Sequence, residues 1–139
     1  MRLSPVQADR AGGVLLGQAI GDALGVPYEF GPRIATGQAH MIGGGLGPYA
    51  PGEWSDDTQM AVCIAQATAA GPFELATLDA VAAAFVRWAR EGATDIGMQT
   101  SAVLRRAMDA PEILPAMQAA ALDAAADGRA GNGALMRTS

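Results

Sequence analysis

The chain of 139 residues contains no lysine, one histidine and one cysteine, and only 5% of its residues are aromatic. Because Cys63 has no second cysteine to pair with, the small secreted folds that depend on internal disulfides are excluded. His40 lacks the second histidine or nearby cysteine that a zinc site or a nucleophilic triad requires. The scarcity of aromatic residues, together with 31 alanines, favours closely packed helices over a β-sandwich.

Charge and hydropathy limit the partners and the location. Nine arginines stand against 14 acidic residues, which gives a net charge of −5 and a pI near 4.6. A surface of this sign repels a phosphate backbone, so nucleic acid is excluded as the principal ligand. No signal-peptide core follows residues 1–10, and Arg10, Gln18, Asp22 and Glu29 interrupt the most apolar stretch. We therefore expect a cytoplasmic protein of one domain that does not span a membrane.

The spacing of apolar residues predicts an all-α fold. Ser4, Pro5 and Gln7 form the pattern of a capped helix start, and this helix should run to about Leu24. Its predicted inward face carries Val14, Leu15, Ala19 and Ile20. Four further helices are predicted to begin at Ser55, at Thr77, after Asp95 and at Pro115, and to end before Gly71-Pro72, Gly92, Pro111 and Asp127-Gly128. Residues 26–54 read as a long loop rich in glycine and proline.

The segment from Ser55 to Thr58 has two interpretations. A serine followed by two aspartates is typical of a helix N-terminus, where carboxylates favour the positive end of the helix dipole. The same side chains offer the oxygen ligands that Mg²⁺, Mn²⁺ or Ca²⁺ prefers, although four residues do not complete a shell of six ligands. Both interpretations remain open from these residues alone.

Two other segments are equally ambiguous when each is taken alone. Glu29 follows the first helix, either as a solvated residue after a left-handed cap at Gly25 or as an acid, base or gate at the mouth of a cleft. Residues 131–133 (Gly-Asn-Gly) form either a plain turn or a turn whose N–H groups face a phosphate.

Four blocks in one order along the chain resemble the ADP-ribosylglycohydrolase family. They read GQAIGDALGVPYE at 17–29, PGEWSDDTQM at 51–60, DIG at 95–97 and GNGALMR at 131–137. The resemblance covers essentially the whole chain but only the amino-terminal half of the family's domain. It implies that residues 1–139 form a single partial domain, an all-α orthogonal helical bundle that is incomplete at its carboxyl end.

The resemblance also implies roles for particular residues. It assigns metal binding to Ser55, Asp56 and Asp57, with serine in place of the family's threonine, and catalytic roles to Glu29 and Asp57. It places Gly97, Gly131, Asn132 and Gly133 at the substrate. Two Mg²⁺ or Mn²⁺ ions are implied, with their remaining ligands in an Asp-x-Asp-Thr block beyond residue 139. Asp123 and Asp127 lack the neighbours that would let them replace that block.

The implied function of the complete domain is metal-dependent hydrolysis of the glycosidic bond between ADP-ribose and a protein side chain or small molecule. Its partners would be an ADP-ribosylated protein or a small molecule containing ADP-ribose. The alternative is an inactive fragment or a non-catalytic binding module, because part of the metal site is missing from these 139 residues. Exposed apolar surface on a half-bundle would promote association.

Overall fold

The computed structural model describes residues 3–69, 74–129 and 131–137. The α-helices are α1 (Pro5–Gly25), α2 (Asp56–Ala69), α3 (Leu75–Arg90), α4 (Met98–Met108) and α5 (Ile113–Ala126). Two 3₁₀ helices, Val26–Tyr28 and Asn132–Arg137, follow α1 and α5. Within the described ranges, β structure is limited to one isolated bridge between Gly44 and Tyr49. The predicted all-α fold is confirmed.

Local signals account for most helix boundaries. The Gln7 N–H donates to Ser4 Oγ at 3.3 Å, and the Ser4 N–H donates to Gln7 Oε1 at 2.9 Å, so the predicted capping box is present. Helix α3 begins at Leu75, two residues before the predicted Thr77, because Glu74 forms its own capping box there. The predicted stop at Gly71-Pro72 lies outside the described residues.

The end of α1 differs from the left-handed cap considered for Gly25. Gly25 has φ −81°, a right-handed helical value. The Val26 N–H donates to the Asp22 carbonyl, so the helical path continues into the Val26–Tyr28 turn. Glu29 directly follows this turn and lines one cleft together with Gly21 and Gly25 of α1.

The core lies among α2, α3 and α4. Its buried members are Met60, Phe85, Val86, Leu104 and Ala107. Cys63 packs partly buried against this cluster, and burial raises the pKa of its thiol, as expected of a core cysteine. These apolar contacts fix the direction in which the first turn of α2 projects.

The predicted inward face of α1 is wrong for three of its four residues. Val14 is 45% exposed, Leu15 42% and Ile20 56%, while Ala19 is half-buried. Residues 3–17 are all exposed, although Val14 and Leu15 line a groove together with Ile64 of α2. Periodicity identified the apolar face of this helix but not whether another element covers it.

The segment between α1 and α2 is a series of tight turns. Gly45 has φ +84°, and a Cβ there would lie 2.2 Å from the carbonyl oxygen of Val26. This close approach packs the segment against the turn that follows α1. None of the described helices is both long and apolar enough to cross a membrane.

Asp123 and Asp127 are engaged on the surface. Asp123 pairs with Arg106 of α4 at 2.5 Å, and Asp127 pairs with Arg129 at 3.3 Å. All four side chains are more than half exposed. Both carboxylates are therefore committed to surface ion pairs.

Candidate functional site

An open cleft of about 520 Å³ lies between the second half of α1, the turn after it and the first turn of α2. One wall is glycine backbone, and the other side is rich in oxygen: Gln18, Asp22, Tyr28, Glu29, Ser55, Asp56 and Asp57 line it together with Gly17, Gly21 and Gly25. Glu29, Ser55, Asp56 and Asp57, which were singled out from the sequence, thus share one cleft.

Asp22 organises the first turn of α2. Its Oδ1 accepts a hydrogen bond from Ser55 Oγ at 2.8 Å, and its Oδ2 accepts one from the Ser55 N–H at 3.0 Å. The same Oδ2 also accepts from the Thr58 N–H at 3.1 Å and from Thr58 Oγ1 at 2.6 Å. Ser55 and Thr58 are buried, so this carboxylate satisfies donors that water does not reach. Asp22 was not among the predicted site residues.

The cleft carboxylates repel one another. Burial, followed by the charges of Asp56, Asp22 and Glu29, raises the pKa of Asp57 to about 6, against an opposing effect of Arg137. Burial is also the main reason that the pKa of Asp56 is raised. Glu29 lies at the exposed mouth, where partial desolvation and then repulsion from Asp56 raise the pKa of its carboxyl. A bound cation would relieve this repulsion.

The oxygen atoms of the acidic turn supply part of the ligand set that a hard divalent cation needs. Ser55 Oγ donates to Asp22 and accepts the Asp57 N–H at 3.4 Å, which leaves the hydroxyl one lone pair for a further contact. Carboxylate and hydroxyl oxygens are the ligands that Mg²⁺ and Mn²⁺ prefer. No group of three or more His, Cys, Asp or Glu residues suited to a metal ion occurs in the described part of the chain, so the fit is partial.

Arg137 places a positive charge near Asp56 and Asp57 in the first turn of α2. Its guanidinium carbon lies 5.3 Å from the centre of the Phe85 ring, and its Nη1 donates to the Gly133 carbonyl and contacts Met60 Sδ at 3.5 Å. Burial lowers the pKa of this guanidinium, while the charges of Asp56 and Asp57 raise it. Arg137 therefore partly balances the carboxylates of the cleft.

The predicted substrate residues fall into two places. The Gly97 N–H donates to Asp56 Oδ2 at 3.4 Å, which puts Gly97 beside the acidic turn. Gly131 and Gly133 instead line a separate, largely apolar cavity of about 300 Å³ with Phe85 and Leu104. Asn132 is exposed at the start of the last 3₁₀ helix. The Gly131 N–H donates to Gln99 Oε1 at 2.6 Å.

Comparison with known proteins places this all-α chain in a class of hydrolases. The sequence profile of the ADP-ribosylglycohydrolase family matches residues 3–139, and the chain belongs to this family. The family assignment agrees with the resemblance found in the four sequence blocks.

Several relatives carry more specific names. The ADP-ribosylarginine hydrolase Tri1 of Pseudomonas putida (strain GB-1) is 49% identical over 96 residues, which cover 68% of this chain and 25% of the relative. Tri1 of Serratia proteamaculans (strain 568) is 44% identical over 60% of the chain and 22% of the relative. The ADP-ribosyl-[dinitrogen reductase] glycohydrolase of Rhodospirillum rubrum is 32% identical over 96% of the chain and 44% of the relative. The chain therefore spans less than half the length of these relatives.

Proposed function

We propose that this chain contributes the metal-binding and acid–base side of a site that hydrolyses the glycosidic bond of ADP-ribosylated arginine. The observation that carries the proposal is the meeting of Glu29 with the Ser55, Asp56 and Asp57 turn in one cleft of a family member. Arginine is the proposed attachment residue because two relatives are named ADP-ribosylarginine hydrolase.

We assign Ser55, Asp56 and Asp57 to one or two divalent cations, Mg²⁺ or Mn²⁺. Such cations orient hydroxyl groups and activate water, which suits an acidic protein acting on a diphosphate substrate. The Asp22 hydrogen bonds to Ser55 and Thr58 support the assignment, because they hold the turn in place without occupying the Asp56 or Asp57 carboxylates. The cytoplasmic location remains a prediction from the sequence.

We assign proton transfer to Glu29. Hydrolysis adds water to the anomeric carbon and releases the guanidine nitrogen, so one proton leaves the water and one reaches the leaving nitrogen. Glu29 suits such exchange because it lies at the cleft mouth, where desolvation raises the pKa of its carboxyl and so favours the protonated form. Asp57, with a pKa of about 6, is the second candidate for holding a proton at this site.

The test is calorimetry on the 139-residue chain with Mn²⁺ and ADP-ribose, followed by assay of ADP-ribose release from an ADP-ribosylated arginine peptide. We expect saturable Mn²⁺ binding that weakens at least about tenfold in Asp57→Asn. Asp79→Asn, an exposed acid on α3, is the matched control and should bind as the unaltered chain does. Equal Mn²⁺ affinity in all three proteins would contradict the metal assignment.

A non-catalytic binding module is the second candidate. The observation in its favour is the partial ligand set of the described residues. Saturable binding of ADP-ribose without release from the peptide would support this module. Absence of both Mn²⁺ and ADP-ribose binding would support an inactive fragment.

A further inference from the structure

Gln18 joins three separate parts of the chain. This α1 side chain is half-buried, and its Nε2 donates to the Asp57 carbonyl at 3.1 Å and to the Met136 carbonyl at 3.0 Å. The partners lie 39 and 118 positions away in the sequence. One amide group therefore links α1, the first turn of α2 and the last 3₁₀ helix.

The two carbonyl acceptors fix the orientation of the amide. A primary amide nitrogen has two hydrogens to donate, and both are used here. The Gln18 Oε1 is buried and has no hydrogen-bond partner within residues 3–69, 74–129 and 131–137. Turning the amide over would place an oxygen against two carbonyl oxygens, which is unfavourable. The side chain tolerates one unsatisfied acceptor in order to keep both donor contacts.

The two segments that Gln18 joins carry different parts of the site. Asp57 belongs to the acidic turn of the cleft. Met136 lies in the 3₁₀ helix that also holds Gly133 and Arg137, both of which line the second cavity. The Arg137 side chain also links this 3₁₀ helix to α2 through Met60, but among the described hydrogen bonds only Gln18 bonds to the main chain of both segments. The Gln18 amide is therefore a direct hydrogen-bonded path between the 3₁₀ helix and the Asp57 main chain.

We propose that Gln18 is a positioning residue that couples the Asn132–Arg137 helix to Asp57, so that the two cavities respond to one another. Its significance for hydrolysis rests on the proposed function, because that function gives Asp57 its role. The coupling itself is a property of the chain without any ligand. Gln18 acts through the main-chain carbonyls of its partners and does not itself react.

The first experiment needs no ligand. Gln18→Met keeps the length of the side chain and removes both donors, and NMR amide hydrogen exchange reports the result for each residue. We expect exchange at residues 134–137 to become about tenfold faster, with exchange in the middle of α3 and α4 unchanged. Gln66→Met, the same change at an exposed position of α2, is the matched control and should alter neither region.

Gln18→Asn is the second variant, because its side chain is one methylene shorter and does not span both carbonyls. If Gln18→Met does not fold, amide hydrogen exchange is measured on Gln18→Asn instead. Unchanged exchange at residues 134–137 in a folded variant would overturn the coupling. Unfolding of both variants would also overturn it, since Gln18 would then support the whole fold rather than one link.

The second experiment adds Mg²⁺ and follows the amide signals. In the unaltered chain we expect Mg²⁺ to shift signals near Asp57 and also those of residues 134–137. In Gln18→Met the shifts near Asp57 should remain, as should any shift at Arg137, whose charge interacts with Asp56 and Asp57 directly, while the shifts at residues 134–136 should become much smaller. Equal Mg²⁺-induced shifts at residues 134–136 in both proteins would overturn the proposal. If Mg²⁺ shifts no signal in either protein, the metal assignment fails and the exchange result still decides the coupling.

Discussion

The Asp22 carboxylate caps a helix that begins 34 residues later in the chain, since its Oδ2 accepts both the Thr58 N–H at 3.1 Å and the Thr58 hydroxyl at 2.6 Å. Helix N-termini are usually capped by the residue directly before them. Here an acidic residue of α1 completes that task for α2. The capping contact is therefore also a tertiary contact, and it holds the acidic turn against α1.

Asp22→Ala should destabilise the fold strongly. The change removes a charged acceptor and leaves buried donors of Ser55 and Thr58 without partners, so we expect the free energy of unfolding to fall by about 3 kcal/mol. Urea denaturation measures the difference. Asp9→Ala, an exposed acid on the same helix, should change stability by less than about 0.5 kcal/mol. Similar losses in the two variants would show that the Asp22 network contributes little.

The stability of the metal-free chain should fall as the pH rises. The pKa of Asp57 is about 6 in the folded chain, against an ordinary value of 3.8. Between these values the folded state binds more protons than the unfolded state, so the free energy of unfolding decreases with increasing pH. From pH 5 to pH 7.5 we expect a loss about 1 kcal/mol larger in the unaltered chain than in Asp57→Asn. Parallel pH profiles for the two proteins, measured with EDTA present, would contradict the raised pKa.

Glu29→Gln should separate catalysis from binding. The amide keeps the shape of the side chain at the cleft mouth but acts neither as an acid nor as a base near neutral pH. We expect turnover of an ADP-ribosylated arginine peptide to fall about 100-fold, with ADP-ribose affinity changed less than about threefold. The assay compares Glu29→Gln with the unaltered protein, both loaded with Mn²⁺, after hydrolysis of the peptide by the unaltered protein has been demonstrated. Equal losses in turnover and affinity would mean that Glu29 only shapes the cleft.

Two adjacent glycines allow a steric prediction. Gly44 and Gly45 have φ +79° and +84°, but a Cβ at Gly45 would meet the Val26 carbonyl oxygen at 2.2 Å, whereas a Cβ at Gly44 has no neighbour within 4 Å. Gly44→Ala should lower the free energy of unfolding by about 1 kcal/mol, because alanine disfavours this positive φ. Gly45→Ala should lower the free energy of unfolding by at least about 2 kcal/mol more than Gly44→Ala does, because the added Cβ forces the turn away from Val26. Equal thermal stability of the two variants would contradict the close packing of this segment.

The sequence predicted those parts of the fold that depend on neighbouring residues. The Ser4 and Gln7 capping box involves residues three apart, and the ends of α3 and α5 lie next to Gly92 and Gly128. Such short patterns can be recognised in the sequence because the residues that interact are close neighbours in the chain. The same reasoning failed at Gly25, where the Val26 N–H continued the helical path instead of ending it.

Long-range relationships were less accessible. The resemblance placed Glu29, Asp56 and Asp57 at a common site, and the structure brings them into one cleft, although their roles stay predictions. Nothing in the spacing of residues along the chain indicated that Asp22 would bond to Thr58 or Gln18 to Met136. The first contact requires α1 to pack against α2, and the second requires it to lie beside the last 3₁₀ helix, two packings that involve residues far apart in the sequence.

Gln18 and Asp22 are one helical turn apart on α1, and they present opposite hydrogen-bonding character to α2. Sliding α1 along its axis by one turn, about 5.4 Å, would bring the Asp22 carboxylate to the carbonyl oxygens that now receive the Gln18 amide. It would also leave the Ser55 and Thr58 donors without their acceptor. The donor–acceptor pair therefore fixes the position of α1 along its axis relative to α2. Gly17, Gly21 and Gly25 on the same part of α1 have no side chains that could interlock with α2 and fix it instead.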